Sequence, residues 1–335
     1  MIINALTILL SVFAFLLILH NYFCWKYNVD RVKVHAITET ELESKISKID
    51  AEVNSVQKTF DSKNAEMDSA IESFKKYEND FLVGVKYAER IQRSVIPNLL
   101  NLKKVFPQSF VYYAPRDIVS GDFYTVAQLE KNDVVVVADC TGHGVPGGFL
   151  TMFCITAVKD RLSKYYNSVE IDTAEVLAKL RSFLIASLSE KNDNDSSMEF
   201  SDGMDITLVV FDKQHTKINF SLANHNLYVC HEGQVTKYKG DRMPVGRHPR
   251  QDESFHMQSC DLSKGDMIYF CSDGIQDQIG GPEEQKFMTK RLQKMVGDLA
   301  PLDIDEQYRT AVKTVTEWKE GQEQFDDQSL IGIRV

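Results

Sequence analysis

The sequence predicts a strand-rich α/β (α+β) domain over residues 97–335, preceded by one transmembrane helix at 1–25 and a coiled-coil helix at 35–96. Three observations carry this. Residues 2–23 are nearly all apolar and hold no formal charge. Residues 42–95 repeat apolar side chains in alternating steps of three and four. Beyond Pro97, short β-branched runs alternate with helical patterns, which fixes the class as sheets with helices packed on their outer faces. A chain of 335 residues has room for one sizeable domain together with both additions.

In the first segment only Asn4, Thr7, Ser11, His20 and Asn21 interrupt the apolar run. At ~1.5 Å per residue, about 20 residues cross a ~30 Å hydrocarbon layer, and Trp25 and Tyr27 fall where interfacial aromatics sit. A cleaved signal peptide is the alternative, but no basic region precedes the run and no small-x-small site follows it. Lys26, Arg31 and Lys33 come just after the span, so the positive-inside tendency predicts a single pass in the inner (cytoplasmic) membrane with the rest of the chain in the cytoplasm. Six cysteines without CxxC spacing agree with a reducing compartment.

The second segment reads Leu42, Ile46, Ile49, Val53, Val56, Phe60, Lys63, Met67, Ala70, Phe74, Tyr77, Phe81, Gly84, Ala88, Ile91, Val95 along one track, with only Lys63 and Gly84 departing from apolar character. About seven heptads of this kind predict a coiled coil and hence a partner helix, and shared anchoring favours a parallel homodimer. A single amphipathic helix packed on the domain is the alternative, but it requires a broader apolar face. Pro97 ends the helix.

The third segment opens on strand 133–139, a continuous β-branched run of the kind covered on both faces. Helices follow at 145–166 and 173–190, then a polar loop at 191–203. Strands are expected at 205–212, 217–223, 227–231, 234–238, 254–261 and 266–272, helices at 283–296 and 303–318, and a closing strand at 329–335. Lys plus Arg of 38 against Asp plus Glu of 48 leaves a net charge of −10, which argues against nucleic acid as a partner.

Acidic residues gather at the ends of these strands. Asp122 lies in Ser120-Gly121-Asp122-Phe123, Asp139 ends its β-branched run, Asp273 precedes Gly274, and Asp326 and Asp327 precede the last strand. Buried carboxylates are costly to desolvate and a hard divalent cation offsets that cost; oxygen ligands suit Mg²⁺ or Mn²⁺, and the zinc patterns HExxH and CxxC are absent. Any one of these aspartates taken alone reads as a turn or cap residue.

The segments 116–124 (RDIVSGDFY), 138–147 (ADCTGHGVPG), 203–205 (GMD), 272–274 (SDG) and 326–327 (DD), in that order, resemble the SpoIIE/RsbU-type branch of the PPM serine/threonine phosphatases over roughly residues 90–335. The resemblance implies the PPM-type four-layer α-β-β-α sandwich with a binuclear metal centre at one edge. It makes Asp122 the carboxylate bridging two divalent ions, Mn²⁺ or Mg²⁺. Asp139 and the backbone carbonyl of Cys140 would hold one ion, and Asp273 with Asp326 or Asp327 the other. Two such ions activate a water for in-line attack on phosphorus, so no protein nucleophile is required. Family members act on phosphoserine of small anti-anti-sigma-type regulators, so the implied substrate is a phosphorylated protein. A catalytically silent phosphoprotein-binding scaffold tethered to the membrane is the competing expectation, and a hydrolase of small phosphate esters a third.

Four further residues draw readings of their own. His143 stands close enough after Asp139 to protonate the leaving oxygen, although the spacing is longer than in the broader family. Arg116 reads either as a bidentate grip on phosphate or as a structural ion pair. Asp205 reads as a ligand of a third metal or as a strand-entry turn. His225, in Ala223-Asn224-His225-Asn226, reads as turn chemistry.

Overall fold

The computed structural model describes residues 2–29, 39–188 and 202–335, and the chain divides into two units, the first ending at Glu78 and the second running Asn79–Val335. Helix α1 is Ile2–Val29 and helix α2 is Glu39–Val95, so both predicted long helices form. The expected transmembrane anchor is corrected on one point. Among the described residues no helix is long and apolar enough to cross a membrane. Described side chains of α1, among them Leu9, Phe13, Phe15 and Ile18, are exposed. The predicted seam of α2 is exposed as well, at Ile46, Val53, Phe60, Phe74, Tyr77 and Phe81. Most of the polar loop expected at 191–203, the start of the coiled coil at 35–38, and Arg31 and Lys33 lie outside the described residues.

The second unit contains the end of α2, where Val85 and Gln92 are buried, and then α3 (Leu99–Val105), opened by Asn98 as its cap. Strands β1 (Ser109–Ala114), β2 (Asp122–Gln128) and β3 (Asn132–Cys140) lead into helices α4 (Gly144–Ser163) and α5 (Thr173–Leu188). Strands β4 (Gly203–Asp212), β5 (Lys217–Ala223), β6 (Asn226–His231), β7 (Gln234–Lys239), β8 (Val245–Gly246), β9 (Gln258–Asp261) and β10 (Met267–Cys271) follow. The chain closes through α6 (Gly274–Asp277), the two-residue strands β11 (Ile279–Gly280) and β12 (Gln285–Lys286), α7 (Met288–Leu299), α8 (Ile304–Lys319) and β13 (Gln328–Arg334).

Two antiparallel sheets result, one ordered β1-β13-β10-β6-β7 and the other β2-β3-β4-β5-β9 with β8 on β4. Side-chain alternation along β3 sorts the layers. Val134, Val136 and Ala138 face α4 and α5, packing on Cys154, Ile155, Val158, Leu177 and Leu180. Val135 and Val137 face the other sheet and meet Val209, Phe220, Leu222, Ile268, Phe270 and Ile331. The far face of that second sheet, with Tyr228, Met267 and Tyr269, takes α7 and α8 through Leu292, Val296, Leu299, Ala311 and Val315. Three apolar layers between four structural ones are the α-β-β-α sandwich the sequence implied.

Two element starts differ from expectation by four residues or more. The helix expected from residue 283 starts at Met288, because residues 279–286 turn as a hairpin in which Ile279 pairs with Lys286. The strand expected from residue 254 starts at Gln258, since the backbone N–H of His256 is drawn out of the ladder to donate to Asp241 Oδ2 at 2.8 Å. Strands β1, β2, β8, β11 and β12 and helices α3 and α6 are additions to the sequence reading.

Candidate functional site

The register of the second sheet assembles the site. Asp122 of β2 stands opposite Asp139 of β3, and Asp139 stands opposite Asp205 of β4. Counting in steps of two from Tyr124, Val137 and Val209, which face the other sheet, places all three carboxylates on the inner face at one end of the sandwich. Like charges directly opposite one another on neighbouring strands repel, so this row is destabilising unless protonated or met by cations. The other sheet contributes from the same end. Asp273 follows β10 and precedes α6, and Asp326 and Asp327 precede β13.

Asp122 is completely buried. Its Oδ2 accepts from Ser272 Oγ at 2.7 Å and from Ser329 Oγ at 2.5 Å, bonds that reach across the two sheets. Its Oδ1 is buried with no hydrogen-bond partner. Burial pushes the Asp122 carboxyl up to about 7, against the lowering effect of the two serines. Asp139 is driven well above the usual carboxylate range, by burial first and then by Asp122, Asp273, Asp326 and Asp205. Burial also raises Asp273, and raises Asp205 to about 6. Five carboxylates thus share one field with too little positive charge to satisfy it.

Adjacent Asp326 and Asp327 do different work. Asp327 is 2 % exposed, and both its oxygens are taken by backbone donors, Oδ1 by Arg116 N–H at 2.7 Å and Oδ2 by Gly121 N–H at 2.6 Å. It ties the segment before β2 to the start of β13. Asp326 instead lines a cavity of about 330 Å³ with Asp139, Cys140, Thr141, Gly142, His143 and Asp205. Arg116 is not part of that lining; its guanidinium donates to the Phe325 carbonyl at 3.0 Å. His143 is at the cavity, just before α4, with Nδ1 3.0 Å from Asp117 Oδ2.

Close backbone approach shapes the loop that carries Asp122. A Cβ on Gly121 would lie 2.6 Å from the Gly142 carbonyl, and one on Gly274 would lie 1.9 Å from the Asp327 carbonyl. Only glycine fits either place. Thr151 Oγ1 donates to the Gly121 carbonyl at 2.5 Å. Gln92, near the end of α2, holds Ser120 on both sides: its Nε2 donates to the Ser120 carbonyl at 2.7 Å, and its Oε1 accepts from Ser120 N–H at 3.1 Å.

His225 lies in the turn between β5 and β6, as expected, with its N–H donating to the Ala223 carbonyl at 2.7 Å. It is buried, its Nε2 has no partner, and burial lowers it to about 4. It lines a smaller cavity behind the row together with Asp205, Ser272 and Asp273, where Asn224 Nδ2 donates to Asp205 Oδ1 at 2.9 Å. Gln92, Thr151, Ser329, Asp117 and His225 all support the site, and the sequence reading assigned none of them there. The signal for Ser272 was its place beside Asp273 in the 272–274 segment.

The donor set is all oxygen apart from the two histidines and suits a hard cation, and the orphaned Asp122 Oδ1 is an acceptor without a donor. Among the described residues, however, no group of three or more His, Cys, Asp or Glu is already spaced to hold an ion. The carboxylates fit a divalent metal in chemistry.

The SpoIIE family model, described as stage II sporulation protein E, matches residues 130–335. The SiaA-PP2C domain of Pseudomonas aeruginosa is 27% identical with a TM-score of 0.67, covering 77% of this chain and 97% of that one. The PP2C phosphatase domain with a fragment of the regulatory domain of SpoIIE from Bacillus subtilis is 19% identical, TM-score 0.54, covering 68% of this chain and 63% of that one. The RsbU and RsbW domains of Rv1364c from Mycobacterium tuberculosis are 18% identical, TM-score 0.51, covering 68% and 60%. The last two likenesses concern the fold alone. No curated protein matches the chain at a significant level. The resemblance carried by the five motifs is borne out, and the chain belongs to the SpoIIE family, with a domain of the PP2C-type serine/threonine protein phosphatases.

Proposed function

We propose that this chain hydrolyses phosphoserine or phosphothreonine on a regulatory protein, an anti-anti-sigma-type partner, using two divalent cations, Mn²⁺ or Mg²⁺, held by the carboxylate row. The observation that carries the reading is the Asp122–Asp139–Asp205 register facing Asp273 and Asp326, with Asp122 Oδ1 buried and unpartnered. In this reading Asp122 would be shared by the two ions, Asp139 and the Cys140 carbonyl would help hold one, Asp273 and Asp326 the other, and Asp205 would be available to a third. Asp326, which lines the cavity, is preferred to Asp327 as the ligand in this reading, since each Asp327 oxygen already accepts from a backbone N–H. When bound, the two cations would acidify a water between them and offset charge on the phosphoryl oxygens.

The chain's own residues do the rest. Ser272 and Ser329 fix the Asp122 carboxylate so that Oδ1 is the free oxygen. Gly121, Thr151 and Asp327 hold the loop that presents it. His143, oriented by Asp117 at the cavity, is placed to deliver a proton to the leaving serine oxygen.

The same reading places the chain at the inner (cytoplasmic) membrane with its catalytic domain in the cytoplasm. The support is the uncharged run 2–23 and the exposed apolar side chains of α1. It also pairs two chains in parallel through the exposed seam of α2. The end of α2 holds Ser120 through Gln92, so a change in pairing would reach the Asp122 loop by direct hydrogen bonds. Phosphate release from a phosphoserine protein by the full chain, wild type beside Asp122→Asn, tests the function. Turnover that the substitution removes is expected; tight phosphoprotein binding without turnover would establish the scaffold instead.

A further inference from the structure

We propose that Gln278 and Gln328 are positioning residues for one of the two cations: they lock α6, which follows Asp273, to the loop that carries Asp326, and so fix how those two carboxylates stand to each other. This rests on the reading that Asp273 and Asp326 hold one ion together. Both glutamines are closed to solvent, Gln278 at 0% and Gln328 at 1% exposed. Their side chains bond to backbone carbonyls, to each other and to a tyrosine, and leave the carboxylates themselves free.

Gln278 caps the C-terminal end of α6. Its backbone carbonyl is gripped from two sides, accepting from Trp318 Nε1 at 3.0 Å and from Phe287 N–H at 2.9 Å, so its side chain starts from a fixed place. Its Nε2 donates to the Ile279 carbonyl at 2.9 Å and to the Glu323 carbonyl at 2.9 Å. Glu323 lies between α8 and β13, just ahead of Asp326. Gln328 opens β13; its Nε2 donates to Gln278 Oε1 at 2.9 Å and to the Gly274 carbonyl at 3.5 Å, and its Oε1 accepts from the Tyr112 hydroxyl at 2.9 Å. Two carbonyls converge on one end of the Gln278 amide, so that end is nitrogen. Its oxygen then faces Gln328, whose nitrogen must answer it, and the remaining oxygen is left for Tyr112. Every polar atom of both amides is used, and the chain of bonds runs in one sense from Tyr112 to Glu323.

The two halves of the site differ in what holds them. Asp122 and Asp139 stand opposite each other on paired strands, and the ladder sets their spacing. Asp326 has no such support, because residues 320–327 belong to no helix or strand, and Asp273 precedes a helix of only four residues. The backbones beneath the two approach closely: a Cβ on Gly274 would lie 3.4 Å from the Asp326 Cβ. Apolar side chains in place of the glutamines would fill the space without needing partners, but they would not fix the loop against α6. A fully satisfied amide pair specifies one arrangement.

The test counts Mn²⁺ bound by the full chain in mild detergent, from the free-ion electron paramagnetic resonance signal, for the wild type, Gln278→Met, Gln328→Met and Tyr112→Phe. The wild type is expected to bind two ions. Each Met variant is expected to weaken one of them about tenfold or more, the ion that Asp273→Asn also loses, and to leave the other unchanged. Tyr112→Phe, which removes only a hydroxyl, is expected to weaken the same ion about threefold. Melts in EDTA show which variants fold. Where the Met variants fold, wild-type affinity for both ions, or equal weakening of both, overturns the proposal and leaves the amides a structural network. Where they do not fold, an unchanged Tyr112→Phe overturns it. Failure of the wild type to bind Mn²⁺ would strike the functional reading itself, whereas two ions bound alike by wild type and variants strikes this inference alone.

Discussion

Stripping divalent metal from the protein should make its stability fall as pH rises. Asp122 is the group that sets the size of the effect, being completely buried beside other carboxylates. Its carboxyl is raised from the ordinary 3.8 to about 7 in the folded chain. In the unfolded chain it ionises near 3.8, so between those values the folded state binds the extra proton. Stability is therefore full below the ordinary value and is lost as pH climbs through about 7. At ~1.36 kcal/mol per pH unit, the loss from this one group is on the order of 4 kcal/mol. For a domain of this size that is roughly 10 °C in Tm. Asp139, Asp205 and Asp273 shift the same way and add to it. Thermal melts of the full chain in mild detergent at pH 5, 6, 7 and 8, with EDTA or with Mn²⁺, measure the effect. The Tm in EDTA should drop toward pH 8, and Mn²⁺ should restore it there while adding little at pH 5. A Tm in EDTA that is flat or rising between pH 5 and 8 would refute the claim that these carboxylates are buried without compensation.

Other outcomes follow from the same contacts. Asp327→Ala removes the acceptor for the Arg116 and Gly121 N–H groups and should cost about 3 kcal/mol in denaturant unfolding. Asp326→Asn should leave the melt nearly unchanged while removing phosphatase turnover; the reverse pattern would exchange their roles. Gln92→Ala frees both sides of Ser120 and should lower kcat while costing on the order of 2 kcal/mol, measured by parallel kinetics and melts. Phe74→Glu places a charge on the exposed seam of α2 and should shift the chain toward monomer in analytical ultracentrifugation. An unchanged oligomer would remove the coiled-coil reading.

The sequence was most legible where burial is periodic. Strand β3 was read almost to its ends, because four consecutive valines covered on both sides leave no other element to form. Strand β1 escaped, since Ser109 to Ala114 is short and only its first two residues are fully buried. The start of α7 was misplaced because the hairpin before it is made of polar residues with no strand pattern of their own. At the site, the aspartates were legible because each ends or precedes a strand. The choice between Asp326 and Asp327 was not. Neighbouring residues of an extended segment face opposite ways, and only the fold shows that Asp327 reaches backbone more than two hundred positions earlier in the chain. Ser329 was invisible for the same reason, its bond to Asp122 spanning 207 positions.

The most direct test is manganese-dependent phosphate release from a phosphoserine protein by the full chain, wild type beside Asp139→Asn and Asp273→Asn. Activity that requires Mn²⁺ and falls to about a hundredth or less in both variants, with their fold intact by circular dichroism, is the predicted result. Wild-type turnover that persists in EDTA, or either variant turning over at the wild-type rate, would contradict the two-cation account.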